Sequence, residues 1–467
     1  MEQMRNSDMT QLDFDKPCHV HFIGIGGISM SGLAEILMDR GFTVSGSDST
    51  PSDLTDRLIE HGATVYFSQI ADNIRPDIDL VVYSAAIHED NEELMEVRAQ
   101  NIPALSRAEL LGQLMNNYET PIAVAGTHGK TTTTSMIAHI LLEADTDPTI
   151  SVGGVLQAIG GNVRIGSDKY FLMEACEYTN SFLHFNPKVA IILNIDEDHL
   201  DFFKDLADIR HSFHEFAGRL PADGTLIIGG EIPYLKAITQ GLKCKIVTFG
   251  TNPVDDYYAN DFTYESDGYA NYHFYRKGED MGRVSLSVTG RHNITNSVAA
   301  MAAADVLGIP LSVAQRGLLS FHGTTRRFEY KGTVDGITIV DDYAHHPTEI
   351  RATLAMARLV DHEDVWCIFQ PHTYTRTKAL FDEFVEVLSG ADHIILPDIY
   401  AARETDDLGV SSELLCEALK KRGVDAYYLG DFSEIENFVL DHCQKNDLLI
   451  TMGAGNVVKI ADDLCGR

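Results

Sequence analysis

The sequence predicts an α/β fold of three domains, each built on a mainly parallel sheet. Three observations predict it. Strand-type apolar runs alternate with helix-type apolar stripes along the chain, the signature of βαβ units. Two of those runs, residues 19–23 and 122–125, lead straight into glycine loops that open helices. Polar residues gather just past the apolar runs, at the sheet edge where open α/β sheets bind ligands. At 467 residues the chain has room for about three domains of ordinary size. The expected divisions are a disordered stretch 1–16, then 17–119, 120–327 and 328–467.

The first domain opens with the strand-type run 19–23, followed by Gly24, Gly26, Gly27 and Ile28. Leu33, Ile36 and Leu37 then mark a helix, Gly41 ends it, and a second strand runs to Ser47 and Asp48. A glycine turn at a helix N-terminus suits a diphosphate, and Asp48 lies where an acceptor for a ribose hydroxyl belongs. Ser29 takes the place of the third glycine, so this Rossmann-like loop fits NAD, FAD, another nucleotide diphosphate or a plain tight turn. A third strand reaches Ser84, whose small neighbours allow close approach of a ligand. Arg107 precedes the helical stripe ending at Met115; it either reaches a phosphate or is an exposed helix-start arginine.

The second domain begins with the strongest motif. Ile122 to Ala125 form a buried-type strand, then come Gly126, Thr127, His128, Gly129, Lys130, Thr131 and Thr132, and a helix continues through Met136, Ile137, Ile140 and Leu141. Glycines that bring backbone N–H groups forward, a helix N-terminus and a lysine together cradle a phosphate. The spacing is the short G-x-x-G-K-T rather than the longer Walker form. The Thr131 hydroxyl stands where a Mg²⁺ ligand belongs, and Glu174, at the end of another strand, supplies a hard oxygen. His199 ends a further strand; by itself it reads as a loop residue or a helix cap. The acids 196–198 read as a solvated turn. Asn293 and Asn296 open an alanine-rich helix, either as caps or as carboxamides that read an adenine edge.

In the last domain three strand-type runs end in polar loops: Asp341, Asp342, Tyr343, His345 and His346; then Gln370, His372 and Arg376; then Asp398 and Glu404. Gly453 and Gly455 add a turn. Repetition at successive strand ends points to one shared cleft.

Composition excludes several partners. A net charge of −33 repels nucleic acid and anionic membranes, so phosphates must be held locally. The seven cysteines are scattered with no C-x-x-C pair, which fits a reducing, cytoplasmic setting. No membrane span or signal sequence is expected.

Taken in order, these motifs resemble the Mur ligase family of cell-wall precursor enzymes across essentially the whole chain: Gly126–Thr132, Asn194 to His199, Gly290 to Asn296, Arg326-Arg327, and Asp341 to Pro347. The resemblance implies a UDP-sugar domain, an ATP domain and an amino-acid domain. It implies that ATP and Mg²⁺ are used to join L-alanine to UDP-N-acetylmuramate, in a monomer or weak dimer. ATP would be held by residues 126–132, with Lys130 on its phosphates, Asn293 on adenine, Asp342 on ribose and Arg327 near the phosphates. Thr131 and Glu174 would hold one Mg²⁺, and His199 would help hold a second. Gly24, Gly26, Gly27, Ile28, Ser47, Asp48, Ser84, Arg107, Asn296, Tyr343, His346 and Arg376 would contact the substrates, and Lys130, His199, His345 and Arg376 would serve the chemistry. Some members carry a carbamylated lysine fifteen residues after the histidine; this chain has His214 there. Arg403 stands where many relatives carry glycine. Competing readings are a murein-peptide recycling ligase of the same family, a nicotinamide dehydrogenase using the first loop, and a non-catalytic nucleotide switch.

Overall fold

A computed structural model describes residues 11–84, 86–200, 202–265, 269–402, 404 and 407–466. The expected position of Arg403 and the first ten residues lie outside these.

Three sheets follow one another along the chain. The first has five parallel strands in the order Thr64–Tyr66, Thr43–Ser47, His19–Ile23, Leu80–Tyr83, Ala104–Ser106. The chain leaves the central strand His19–Ile23 toward both edges, so the loop at Gly24 lies at the switch point where such sheets bind ligands. The stretch 11–16 is packed, contrary to the expected disorder through residue 16. Leu12 is buried, its N–H donates to Gln113 Oε1 at 2.8 Å, and Phe14 meets Phe42 edge-on at 6.0 Å.

The second sheet has ten strands. Its parallel centre runs Thr149–Leu156, Tyr170–Glu174, Thr120–Ala125, Val189–Ile192, Thr225–Gly229, Lys245–Gly250. The two strands carrying Lys130 and Glu174 at their ends are neighbours, with Val124 paired to Glu174. An antiparallel extension, Tyr257–Tyr264, Tyr269–Arg276 and Glu279–Thr289, adds to the expected parallel sheet. Its alternation explains it: Ala270, Tyr272 and Phe274 are buried on one face, packed with the alanine-rich helix Arg291–Val306. The Tyr272 hydroxyl meets Ser297 Oγ at 2.7 Å there.

The third sheet runs Glu329–Val334, Ile337–Asp342, Leu448–Met452, Val365–Phe369, His393–Leu396, Asp425–Tyr428, parallel except for its first pair. One apolar core runs unbroken from the first sheet, through Leu110, Leu114 and Phe182, into one face of the second. The third sheet has cores of its own on both faces. No helix among the described residues is long and apolar enough to cross a membrane.

Candidate active site

Strand Thr120–Ala125 ends at Gly126, whose φ of 139° is open to glycine; an added Cβ there would lie 3.0 Å from Leu193 Cβ. Gly129 (φ 85°) caps the helix Lys130–Glu143, and its missing Cβ leaves room for Asn296 Oδ1. Asn194 clamps the loop between them. Its Oδ1 accepts the His128 N–H at 2.8 Å and its Nδ2 donates to the His128 carbonyl at 2.9 Å. Asp196 N–H donates to Thr127 Oγ1 at 2.9 Å. Residues 126–131 thus form the expected cradle, fixed by the next strand end.

Lys130 Nζ donates to the carbonyls of Gly126 (2.6 Å) and Thr127 (3.1 Å) and to both oxygens of Glu177 (3.0 and 3.2 Å). Burial opposes its charge, but Glu177 overrides that and raises the Lys130 pKa above the ordinary value. Thr131 Oγ1 donates to Glu174 Oε2 at 3.1 Å, and Gly153 N–H donates to Glu174 Oε1 at 2.6 Å. A Cβ on Gly153 would come within 2.8 Å of that carboxylate, so the chain keeps the space open. Burial pushes Glu174 above the usual carboxyl range. A buried carboxyl and a hydroxyl side by side, both hard oxygen donors, fit a Mg²⁺ ion beside a phosphate. His199 adopts φ 55°; its Nε2 lies 3.9 Å from Glu177 Oε1 and its ring rests on Tyr178 at 4.6 Å. His199 therefore sits next to the partner of Lys130. His214 is turned away, with Nδ1 on the Ile238 carbonyl at 2.7 Å.

A cavity of about 720 Å³ opens on this loop. His128, Gly129, Thr132, Asn293 and Asn296 line it from the second domain; Arg327, Asp342 and Glu349 line it from beyond residue 326. Asn293 Nδ2 donates to the Thr289 carbonyl at 2.7 Å, and Asn296 Nδ2 donates to Asn293 Oδ1 at 3.1 Å. Both are buried side chains on the cavity wall rather than helix caps, since Gly290 is the N-cap. Asn296, expected among the substrate contacts, lines the first cavity against Gly129. Asp342 accepts the N–H groups of Phe328 (2.8 Å) and Ala344 (2.7 Å), and burial pushes its pKa up to about 6. Arg326 is fastened to the third domain through Asp341 Oδ2 (2.9 Å) and the carbonyls of Gly453 (2.6 Å) and Gly455 (3.1 Å). Tyr343 packs under both arginines, 4.9 Å from Arg326 and 5.4 Å from Arg327.

A second cavity of about 340 Å³ lies between Tyr178, Asp198 and His199 on one side and His372, Arg376 and Glu404 on the other. Arg376 Nη2 donates to Asp198 Oδ1 at 3.1 Å. Burial works against the Asp198 charge, but Arg376 holds the carboxyl well below its usual range. Asp196 and Asp198 are thus engaged rather than solvated, and only Glu197 is exposed. Asp196 accepts Thr348 Oγ1 at 2.9 Å and faces His128 Nε2 at 3.4 Å, while Glu349 Oε1 faces His128 Nδ1 at 3.2 Å. Burial lowers His128, but these two carboxylates more than offset it and raise its pKa to about 9. Composition concealed this, because the partners of 196–198 come from the third domain.

His346 also departs from expectation. Its Nδ1 accepts the Thr348 N–H at 3.3 Å, so its Nε2 carries the proton and donates to the Glu197 carbonyl at 3.0 Å. It is a buried interdomain contact with both nitrogens committed, not a substrate contact. His128, Asp196 and His346 do converge within 4.8 Å, but this commitment leaves His346 no lone pair for a metal.

In the first domain Gly24 (φ 84°) and Gly26 make the expected turn, with Gly27 and Ile28 starting the helix Ile28–Asp39. Asp48 is folded back on it: Oδ2 accepts the Gly26 N–H at 2.8 Å and Oδ1 accepts that of Ser49 at 2.8 Å. Ser84 lies beside Gly24, and Arg107 Nη1 donates to Ser29 Oγ at 2.9 Å. Burial lowers the Arg107 guanidinium below its ordinary value. Ser47 is fully buried and donates to Glu93 Oε2 at 2.5 Å, so it cannot touch a substrate. Strand parity could have shown this, since Ser45 and Ser47 share a face and pair with His21 and Ile23. Glu177 and Glu349 were not foreseen as site residues. Glu177 carries a local signal, an acid three residues after Glu174; Glu349 carries none.

Comparison with known proteins bears on the whole chain. Family models described as "Mur ligase family, catalytic domain", "Mur ligase middle domain" and "Mur ligase, glutamate ligase domain" match residues 19–119, 124–304 and 326–455. A UDP-N-acetylmuramate--L-alanine ligase of Lachnospira eligens is 55% identical over 98% of this chain and 100% of the relative. One from Agathobacter rectalis is 56% identical over 98% of this chain and 99% of the relative. Among solved structures, the UDP-N-acetylmuramate-alanine ligase of Thermotoga maritima superposes with TM-score 0.82 at 28% identity, covering 96% of this chain and 98% of that one. A murein peptide ligase from Psychrobacter arcticus gives TM-score 0.72 at 26% identity over the same shares. With this identity along nearly its full length, the chain belongs to the Mur ligase family.

Proposed function

We propose that the chain is an ATP-dependent ligase that joins L-alanine to the lactyl carboxylate of UDP-N-acetylmuramate. The observation that carries this reading is the 126–131 loop, with Lys130 at a helix start, opening on a cavity of about 720 Å³ walled by two domains. Names of the relatives supply the two substrates.

A carboxylate is a poor acyl electrophile, so its oxygen attacks the γ-phosphorus of ATP and leaves an acyl phosphate. Lys130, which donates to the loop carbonyls and to Glu177, turns its ammonium to the phosphates when they bind. Thr131 and Glu174 would hold one Mg²⁺ and His199, beside Glu177, would help hold a second; the ions would supply charge neutralisation at the transferring phosphoryl group. Asn293 offers its remaining amide hydrogen to adenine, Asp342 a carboxylate to ribose, and Arg327 a guanidinium to the phosphates. The N–H groups of Gly24 to Gly27 are spent on Ser47, Asp48 and Gly24 itself, so the diphosphate of the sugar nucleotide would sit at the uncapped start of the helix Ile28–Asp39, with Arg107 beside it. The amine of alanine then attacks the acyl carbon from the second cavity, near Arg376, and His345 accepts a proton. Walls drawn from two domains keep water from the acyl phosphate.

Phosphate release tests the reading. It should require both UDP-N-acetylmuramate and an amino acid, with a product of the condensed mass; release independent of either sinks it. A panel of amino acids and murein peptides read by mass spectrometry fixes the nucleophile. Lys130→Ala should lower turnover by about three orders of magnitude, the scale of a lost transition-state charge partner.

A further inference from the structure

One carboxylate touches both halves of this chemistry. Glu349 is the third residue of the helix Pro347–Ala357, on the third domain. Its Oε1 faces His128 of the phosphate loop at 3.2 Å. Its Oε2 accepts the N–H groups of His345 (3.1 Å) and His346 (3.3 Å) and lies 3.4 Å from His345 Nδ1. The Tyr343 carbonyl is 3.0 Å from the same Nδ1. Both neighbours of Nδ1 are acceptors, so Nδ1 carries the proton and Nε2 keeps its lone pair. Burial pushes His345 below the ordinary histidine value, so the ring is neutral at the start. The other charged groups around it are Arg376 and Asp198, and His372 stands 5.9 Å away, ring to ring. Glu349 lines the first cavity, whereas His372 and Arg376 line the second. His345 sits between them.

We propose that Glu349 is a positioning residue for amide formation: it fixes the tautomer of His345 as proton acceptor while its other oxygen ties that histidine to the phosphate loop. The assignment rests on the ligase reading. In the step it serves, His345 Nε2 takes one proton from the ammonium of the amino acid. The freed lone pair forms the C–N bond, and phosphate leaves with the electron pair of the C–O bond. The second nitrogen proton goes to the departing phosphate. Glu349 stabilises the imidazolium that forms, as a buried carboxylate does for a general base.

Glu349→Gln tests this, because a glutamine carbonyl still accepts the two backbone N–H groups and keeps the helix cap. With alanine at neutral pH, the variant should form product about 100-fold more slowly, within the usual range for a general base. The deficit should shrink as pH rises and alanine loses its proton to solvent. With hydroxylamine, already a free base at neutral pH, hydroxamate formation should fall far less than alanine ligation, only by what the loosened Glu349–His128 contact costs, since no proton acceptor is needed. His345→Gln should reproduce this pattern, and the double variant should be no slower than either single one. Equal slowing with both nucleophiles, no slowing with alanine, or multiplicative losses in the double variant would overturn the proposal. Failure of the unsubstituted enzyme to ligate at all would strike the ligase reading instead.

Discussion

The two seams between the three domains are built from different materials. Between the first and second domains the chain uses mainly glycine and apolar contact, with one ion pair at the rim, Arg40 to Asp168 at 2.6 Å. Gly32 leaves room for Val163, and Gly112 lets the helix Arg107–Met115 approach the His184 carbonyl so closely that a Cβ would lie 2.1 Å from its oxygen. Asn162 and the Ile28 carbonyl add a 2.7 Å hydrogen bond, and the core beneath is shared. Between the second and third domains the contacts are polar: Arg376 to Asp198, Thr348 to Asp196, Glu349 to His128, and His346 to the Glu197 carbonyl. Apolar area removed from water holds a seam permanently, whereas exchangeable charged hydrogen bonds let one open and close. The first two domains thus share one core, and the polar second seam leads us to expect the third to open and close as a lid, which suits an enzyme that must admit three substrates and then exclude water.

The comparison can be broken most severely at Gly112. Gly112→Ala drives a methyl group into backbone and should destabilise the joined body by roughly 3 kcal/mol, the upper range for overpacking. Denaturant unfolding should show the first two domains losing stability together; two separate transitions would refute a fused body. Asp198→Asn comes next. It leaves the Arg376 guanidinium half paired and should weaken lid closure by about 2 kcal/mol, read as a larger fraction of extended molecules in small-angle scattering.

The pH course of closure sharpens the contrast. His128 has a pKa of about 9 between Asp196 and Glu349, against about 6.5 for a free histidine. Asp196 shares the second domain with His128 and raises it whether or not the third domain is docked, so closure gains only the Glu349 share, which is lost as pH rises through about 9. Scattering or interdomain fluorescence transfer should report an opening lid across that window, with the first seam unaffected. Thr348→Val is the smallest test. It removes one hydrogen bond to Asp196, should cost closure about 1 kcal/mol, and should leave the pH course in place.

What could be read beforehand follows the same division. The cradle at 126–131, Glu174 and the first glycine loop were legible because each rests on a local pattern: strand, glycine, helix start. The third domain's Asp342 and Arg376 were legible as residues at strand ends. Glu349 and the true surroundings of Asp196 and Asp198 were not, because they meet across the second and third domains, up to 221 residues apart; Glu177, whose partner Lys130 is 47 residues away in its own domain, was passed over although it lies three residues after Glu174. Ser47 misled for a different reason. A small hydroxyl at a strand end looks like a ligand contact, but its parity points it inward to Glu93. His346 misled likewise, being drawn from an expected reactive cluster into the seam.

Arg326 bears on when the reaction can start. Its guanidinium is riveted to the third sheet, and it and Phe328, on either side of Arg327, hold left-handed backbone at φ 61° and 48°. Arg327 is therefore held by the third domain while it lines the first cavity beside His128 and Asn293. On the ligase reading proposed above, a nucleotide would meet that cation only once the third domain has docked, so phosphoryl transfer should wait for it.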